Sequence, residues 1–370
     1  MGMRFGRGWR LLALGVVSAS VSCSGDTVVQ GPTTVIEPPQ IACPAPITQV
    51  APLAQPISIV FQPTVSQGAE PVTTACSPAS GSSFNLGTTP VACTATDARQ
   101  RSATCSFSIT VQPPPRISAT RFLAFGDSIT FGEDGTSLVA TPQDSQIGFS
   151  YPGVQLTGRD YPTVLQQLLA ARYTAQTLTV INDGLQGEKA GDSSTLSRFS
   201  SDLSRRPADN VLLMEGTNDI YGGTGGNPPG IPSAIAGLRN MIVAARGRGL
   251  KVFLATVPPA NPAGPRGVLV YQTVPLLNAQ IRTLANAEGV PLVDVESAIG
   301  INFALLSADG MHPNADGYAT IAAKFFEVIR AQLEVAPTLA GAPSTGTSLS
   351  RGVAPTATTA GASKKVTQRR

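Results

Sequence analysis

The chain has 370 residues, 42% of them hydrophobic and 13% charged, enough for one medium domain with a sizeable core plus a smaller module. Its net charge of +3 sits largely at the ends, in Arg4, Arg7, Arg10, Lys364, Lys365, Arg369 and Arg370. No basic stripe with interleaved aromatics lies between, which argues against a nucleic-acid partner.

Residues 1–22 read as a signal peptide. Three arginines precede the apolar run from Leu11 to Val21, which is too short to span a bilayer comfortably but suits a signal core. Val21-Ser22-Cys23 resembles the end of a bacterial lipoprotein signal, although Ser20 departs from that pattern. Cys23 is therefore a candidate for lipidation, with ordinary cleavage as the alternative. Either outcome exports the chain, as a periplasmic, membrane-anchored lipoprotein or a secreted protein. Residues 23–42, rich in Pro, Thr, Val and Gly, read as an extended linker.

The other four cysteines, Cys43, Cys76, Cys93 and Cys105, cluster in the next segment. In an exported chain such a set implies two disulfides stapling a small module, and spacing alone leaves three connectivities open. Apolar and polar residues alternate in "ISIVFQ", "TPVACTATD" and "TCSFSITVQ", between Gly, Pro and Ser turns, so residues 43–112 read as all-β. "CPAP", "CSPASGSSFNLGTTPVACTATD" and "CSFSITV" in this region resemble the hyalin-repeat (HYR) family of Ig-like domains. The likeness implies Cys43–Cys105 and Cys76–Cys93 bridges, and an adhesive or spacing role that could bring contact with a cell-surface glycan. Residues 113–119, opening on "PPPR", read as a stiff joint.

From Thr120 to residue 335 strands and helices alternate. Short apolar runs appear in "RFLAF", "LTVIN", "NVLLMEG", "KVFLATV" and "VPLVDV". Between them, helical stretches such as "YPTVLQQLLAARY" place Leu165, Leu168 and Leu169 on one face. This alternation predicts an α/β domain with a parallel sheet covered on both sides, and a ligand site at the carboxyl ends of its strands. Residues 336–370 read as a disordered tail.

The polar clusters fall where that site should be. "GDSIT" exposes Ser128 at a strand-to-helix turn, "DGLQGEKAGD" and "TNDIY" follow the next two strands, and "DGMHP" comes after the fifth. A serine hydroxyl needs a base to become a useful nucleophile. The base must be His312, the only histidine in the chain. Asp309, three residues upstream, can hold its tautomer. The backbone N–H groups of Ser128 and Gly187, with the side-chain amide of Asn218, can serve as an oxyanion hole. There is no G-x-S-x-G elbow, and one histidine cannot build a zinc or binuclear metal centre.

The blocks "GDSIT", "NDGLQG", "GTND" and "DGMHPN" resemble, in this order, those of the SGNH hydrolases, the GDSL esterase/lipase family. The resemblance implies a flavodoxin-like three-layer α/β/α sandwich on a parallel five-stranded sheet. It implies Ser128, Asp309 and His312 as catalytic residues, and Ser128, Gly187 and Asn218 as the oxyanion hole, with Gly184 the alternative if the loop is shifted. Glu188 is less usual beside the oxyanion glycine than a small or polar residue. Residues 132–160 and 258–274 are long loops near the site, read as walls for the acyl or alcohol group.

The expected function is cleavage of short-chain carboxylesters, without a cofactor or metal, on a small-molecule or glycan-linked substrate. Carbohydrate O-acetyl esterase and lysophospholipase are the alternatives within enzymes. An adhesion or glycan-binding protein with an inactive hydrolase domain is the alternative of another class.

Overall fold

A computed structural model of the protein describes residues 35–135, 154–221 and 230–336. The signal segment, Cys23, residues 136–153 of the first long loop and the tail from residue 337 lie outside the described residues.

The N-terminal module is all-β. Its main sheet holds β1 (Ile47–Val50), β2 (Thr73–Ser77), β3 (Gly87–Thr96) and β4 (Ser102–Gln112), ordered β1-β4-β3-β2. β1 runs parallel to β4, and the other pairs are antiparallel. The period of two along β3 turns Val91, Cys93 and Ala95 into a core that also holds Ile59, Phe84 and Ile109. The disulfides are Cys43–Cys105 and Cys76–Cys93, the pairing that the HYR likeness implied. Closing the 62-residue span between Cys43 and Cys105 restricts the unfolded chain by about 4 kcal/mol.

Two boundaries differ from the expectation. Residues 35–42 do not form a linker: Gln40–Ala42 pair with Thr64–Ser66, and Arg101 donates to the carbonyls of Ile36 and Glu37 at 2.9 and 3.0 Å. Composition alone missed this, because two of the three contacts are to backbone carbonyls, which any residue type supplies. Likewise Arg116–Ile117, placed in the joint, pair with Glu334–Val335, and the Ile117 side chain belongs to the core of the second domain.

That domain is built on five parallel strands: β5 (Arg121–Gly126), β6 (Thr179–Gly184), β7 (Asn210–Met214), β8 (Lys251–Ala255) and β9 (Leu292–Val293). Their order is β6-β5-β7-β8-β9. Alternation splits the strands between two cores: Val211 and Leu213 of β7 face one, Leu212 and Met214 the other. The first core is closed by α3 (Ser193–Arg205), α4 (Gly230–Arg246) and α6 (Val274–Glu288). The second is closed by α2 (Tyr161–Arg172) and α7 (Ala315–Leu333), which are joined by stacked Tyr161 and Phe325 rings 5.0 Å apart. The result is the three-layer sandwich expected from the alternating pattern. The strand order reverses between β5 and β7, and such a switch point opens a crevice beyond the strand ends.

Gly126, the last residue of β5, fits only without a side chain. A Cβ there would lie 2.1 Å from the Met214 carbonyl oxygen and 2.2 Å from Thr130 Oγ1. Gly126→Ala should therefore destabilise this domain by about 2–3 kcal/mol through overpacking, read as a lowered midpoint in denaturant unfolding.

Candidate active site

β5 ends at Gly126 and the chain turns at once into α1 (Ser128–Phe131), a single helical turn. Asp127 caps it, its Oδ1 accepting from the Ile129 N–H at 2.9 Å, which satisfies one of the donors that a helix start leaves free. Ser128 is thus the first helical residue, at the mouth of the switch-point crevice.

His312 arrives from the other end of the chain. An isolated bridge between Leu306 and Pro313 closes its loop, with the Ser307 N–H donating to the His312 carbonyl at 2.7 Å. Gly310 supplies the positive φ (76°) that this tight path needs. The loop then runs into α7, whose first N–H groups are capped by Asn314.

The three polar residues meet in a buried line. Ser128 Oγ lies 2.8 Å from His312 Nε2, and His312 Nδ1 lies 2.6 Å from Asp309 Oδ2. In the neutral tautomer that donates Nδ1–H to Asp309, Nε2 accepts the Ser128 hydroxyl proton. Asp309 Oδ1 also accepts from the N–H groups of Met311 and His312, at 2.9 and 3.0 Å. Burial pushes the Asp309 carboxyl up, but the His312 hydrogen bond and charge and these two N–H groups outweigh it, leaving it below the usual carboxylate value. Asp309 is therefore an anion throughout the neutral range, fit to hold an imidazolium.

The loops after β6 and β7 stand beside Ser128 and are tied together. Gly187 is left-handed (φ 75°), and a Cβ there would meet nothing within 4 Å, whereas a Cβ on Gly184 would strike the Phe131 backbone nitrogen at 2.0 Å. Gly184 is thus filled by α1, and Gly187 is the open position. Asn218 Nδ2 donates to the Glu188 carbonyl at 2.9 Å. The unusual Glu188 side chain points away to Arg198 of α3, whose Nε donates to it at 2.7 Å. Asp219, not singled out from the sequence, accepts from the Ala190 and Gly191 N–H groups at 2.8 and 2.9 Å. The aspartate of "GTND" thus fastens one loop to the other.

The first long loop contributes a further group that no spacing signalled. Glu133 is 4% exposed; its Oε2 lies 3.7 Å from His312 Nε2. Arg266 Nη1 donates to its Oε1 at 3.0 Å, and Gln186 Nε2 to its Oε2 at 2.9 Å. Arg266 belongs to the second long loop, which also holds a turn of helix, α5 (Gly267–Val270). The Arg266 and Gly267 N–H groups both donate to the Asp309 carbonyl, at 3.0 and 2.9 Å. Farther along, this loop lines an apolar cavity of about 480 Å³ with Pro259, Tyr271, Val274, Ile301 and Phe303, and none of the three relay residues borders it.

Behind the nucleophile lie two acids with unpaired oxygens. Among the described residues, Asp127 Oδ2 and both carboxyl oxygens of Glu215 are buried without a hydrogen-bond partner. Burial pushes the Asp127 carboxyl up to about 7, and the nearby Asp219 and Glu188 charges add to this against the Ile129 N–H and His312. Burial likewise raises Glu215 well above its ordinary value. With its folded value of about 7 above its unfolded one, Asp127 removes stability progressively as pH rises from about 4 to 7. Asp127→Asn, which keeps the cap but cannot ionise, should therefore raise the melting temperature more at pH 8 than at pH 5. The difference should be about 2 °C or more by calorimetry.

The signature of the GDSL-like Lipase/Acylhydrolase family matches residues 124–320, and that of the HYR domain matches residues 35–111. Over 246 residues the chain is 26% identical to a multidomain esterase of Ruminococcus flavefaciens, covering 60% of this chain and 30% of that one. The chain thus spans less than a third of the length of that curated relative. The lipase/acylhydrolase from Enterococcus faecalis is 23% identical and covers 60% of this chain and 100% of its own, with a TM-score of 0.46. A carbohydrate acetylesterase from Sinorhizobium meliloti is 19% identical, covering 58% of this chain and 99% of its own, with a TM-score of 0.45. The family signature spans more than half of the sequence and contains all four polar blocks, and the chain belongs to the GDSL-like lipase/acylhydrolase family, with a HYR domain ahead of its hydrolase domain.

Proposed function

We propose that this protein is an exported serine hydrolase that cleaves short-chain carboxylesters through an acyl-enzyme. The observation that carries the reading is the unbroken relay from Ser128 Oγ to His312 Nε2 (2.8 Å) and from His312 Nδ1 to Asp309 (2.6 Å). Ser128 attacks the ester carbonyl as His312 takes its proton. The tetrahedral oxyanion is held by the Ser128 and Gly187 N–H groups and the Asn218 amide. His312 then delivers the proton to the departing alcohol, and water repeats the sequence on the acyl-enzyme. Asp309 holds the tautomer and stabilises the imidazolium.

Export is supported by the disulfides Cys43–Cys105 and Cys76–Cys93, since such bonds persist in oxidising compartments. A small, polar ester is supported by the Glu133, Gln186 and Arg266 side chains beside His312. The same polar wall favours a second reading, removal of acetyl groups from glycans.

Two measurements test this function. On a p-nitrophenyl ester series from acetate to palmitate, turnover should peak at short chains, and Ser128→Ala should lower it by about four orders of magnitude or more. A peak at palmitate would move lipid esters to the front, and turnover surviving in the variant would dismiss Ser128 as the nucleophile. On acidification, kcat/KM should fall, because a protonated imidazole cannot take the Ser128 proton. Asp309, held below the usual carboxylate value, stays ionised across the neutral range. A profile that does not fall on acidification would remove His312 as the base.

A further inference from the structure

We infer that Glu133 selects the alcohol half of the ester, favouring leaving groups that carry a second hydroxyl next to the scissile oxygen. The inference rests on Ser128 and His312 being the reacting pair. To receive its proton, the leaving oxygen must come within about 2.6–3.2 Å of His312 Nε2. Glu133 Oε2 lies 3.7 Å from that same nitrogen. A group bonded beside the leaving oxygen can therefore reach this carboxylate.

Glu133 is held there firmly. Its carbonyl accepts from the buried Tyr318 hydroxyl at 2.8 Å, and its backbone pairs with Gln155. Arg266 and Gln186 fix one carboxyl oxygen each. A carboxylate has about four acceptor positions, and among the described residues these two donors use two of them. An apolar alcohol would shut the remaining positions off from water and return nothing, which is costly for a charged group. A hydroxyl on the neighbouring carbon, as in glycerol or a sugar ring, can donate to Oε2 while the leaving oxygen faces Nε2. Arg266 meanwhile neutralises the carboxylate, and it also stands 3.9 Å from Asp309.

The experiment compares kcat/KM for glyceryl monoacetate and propyl acetate, which share the acyl group and chain length of the alcohol and differ in its hydroxyls. The full chain, Glu133→Gln and Glu133→Asp are each assayed on both substrates. A ratio of two substrates on one sample is independent of how much of a variant is folded. The wild type should prefer glyceryl monoacetate by about tenfold, the size of one hydrogen bond to a charged acceptor. Glu133→Gln should erase most of that preference, and Glu133→Asp should keep part of it. No preference in the wild type would overturn the inference. So would an equal fall on both substrates in the variants, which would make Glu133 a positioning residue only. Wild-type hydrolysis of p-nitrophenyl acetate, whose alcohol has no second hydroxyl, separates failure of this inference from failure of the ester-hydrolase reading itself.

Discussion

His312 has no exposed surface, so both of its ring nitrogens must find partners inside the protein. That requirement organises the site. Nδ1 needs an anion that stays ionised when buried, and Asp309 stays so through its bond to the imidazole and the backbone N–H groups that Met311 and His312 turn toward it. Those N–H groups point inward because the 307–312 loop is closed by its own bridge and turned by a left-handed glycine. Nε2 needs the nucleophile, and Ser128 reaches it only because β5 stops at a glycine with no room for a side chain. Residues 184 positions apart in sequence thereby meet at 2.8 Å.

The sheet supplies the framework for this meeting. Reversal of strand order between β5 and β7 separates the loops at the strand ends, and the loops are then tied back across the gap. Asn218 and Asp219 from one loop hold the backbone of Glu188, Ala190 and Gly191 in the other. Glu188, odd from its position beside Gly187, belongs to the same arrangement: its carbonyl anchors Asn218 while its side chain is anchored by Arg198. Asp183 and Asp202 flank Arg198 in turn, 3.5 and 3.6 Å from its Nη1, so the loop is braced from the protein side and left open toward Ser128.

The site also contains unbalanced polarity. Asp127 and Glu215 bury carboxyl oxygens that no donor among the described residues meets, which costs stability wherever it occurs. Asp127 caps α1 and Glu215 follows the last residue of β7. Glu133 shows the opposite treatment, with a partner on each oxygen. The contrast separates a carboxyl confined behind the relay from one held ready at its front.

Much of this was legible in the sequence because it is local or periodic. Alternation of apolar residues marks each strand and helix by its own pattern, and the four polar blocks follow strand ends in chain order, so Ser128, Gly187, Asn218, Asp309 and His312 could be named without coordinates. Asp309 and His312 even share one loop. Spacing left the disulfide pairing open, because four cysteines allow three connectivities, and only the HYR likeness chose. What tertiary structure alone decided are the contacts between distant side chains and backbone groups that carry no residue signature: Glu133 with Arg266, 133 residues apart, the Asp219 tether, and the backbone pairing that draws residues 35–42 into the module. A sequence records the hydrophobic period that builds the layers, because burial acts on every turn or pleat alike. It leaves unrecorded which lone polar groups the finished layers bring together, because those meetings depend on where separate loops end in space.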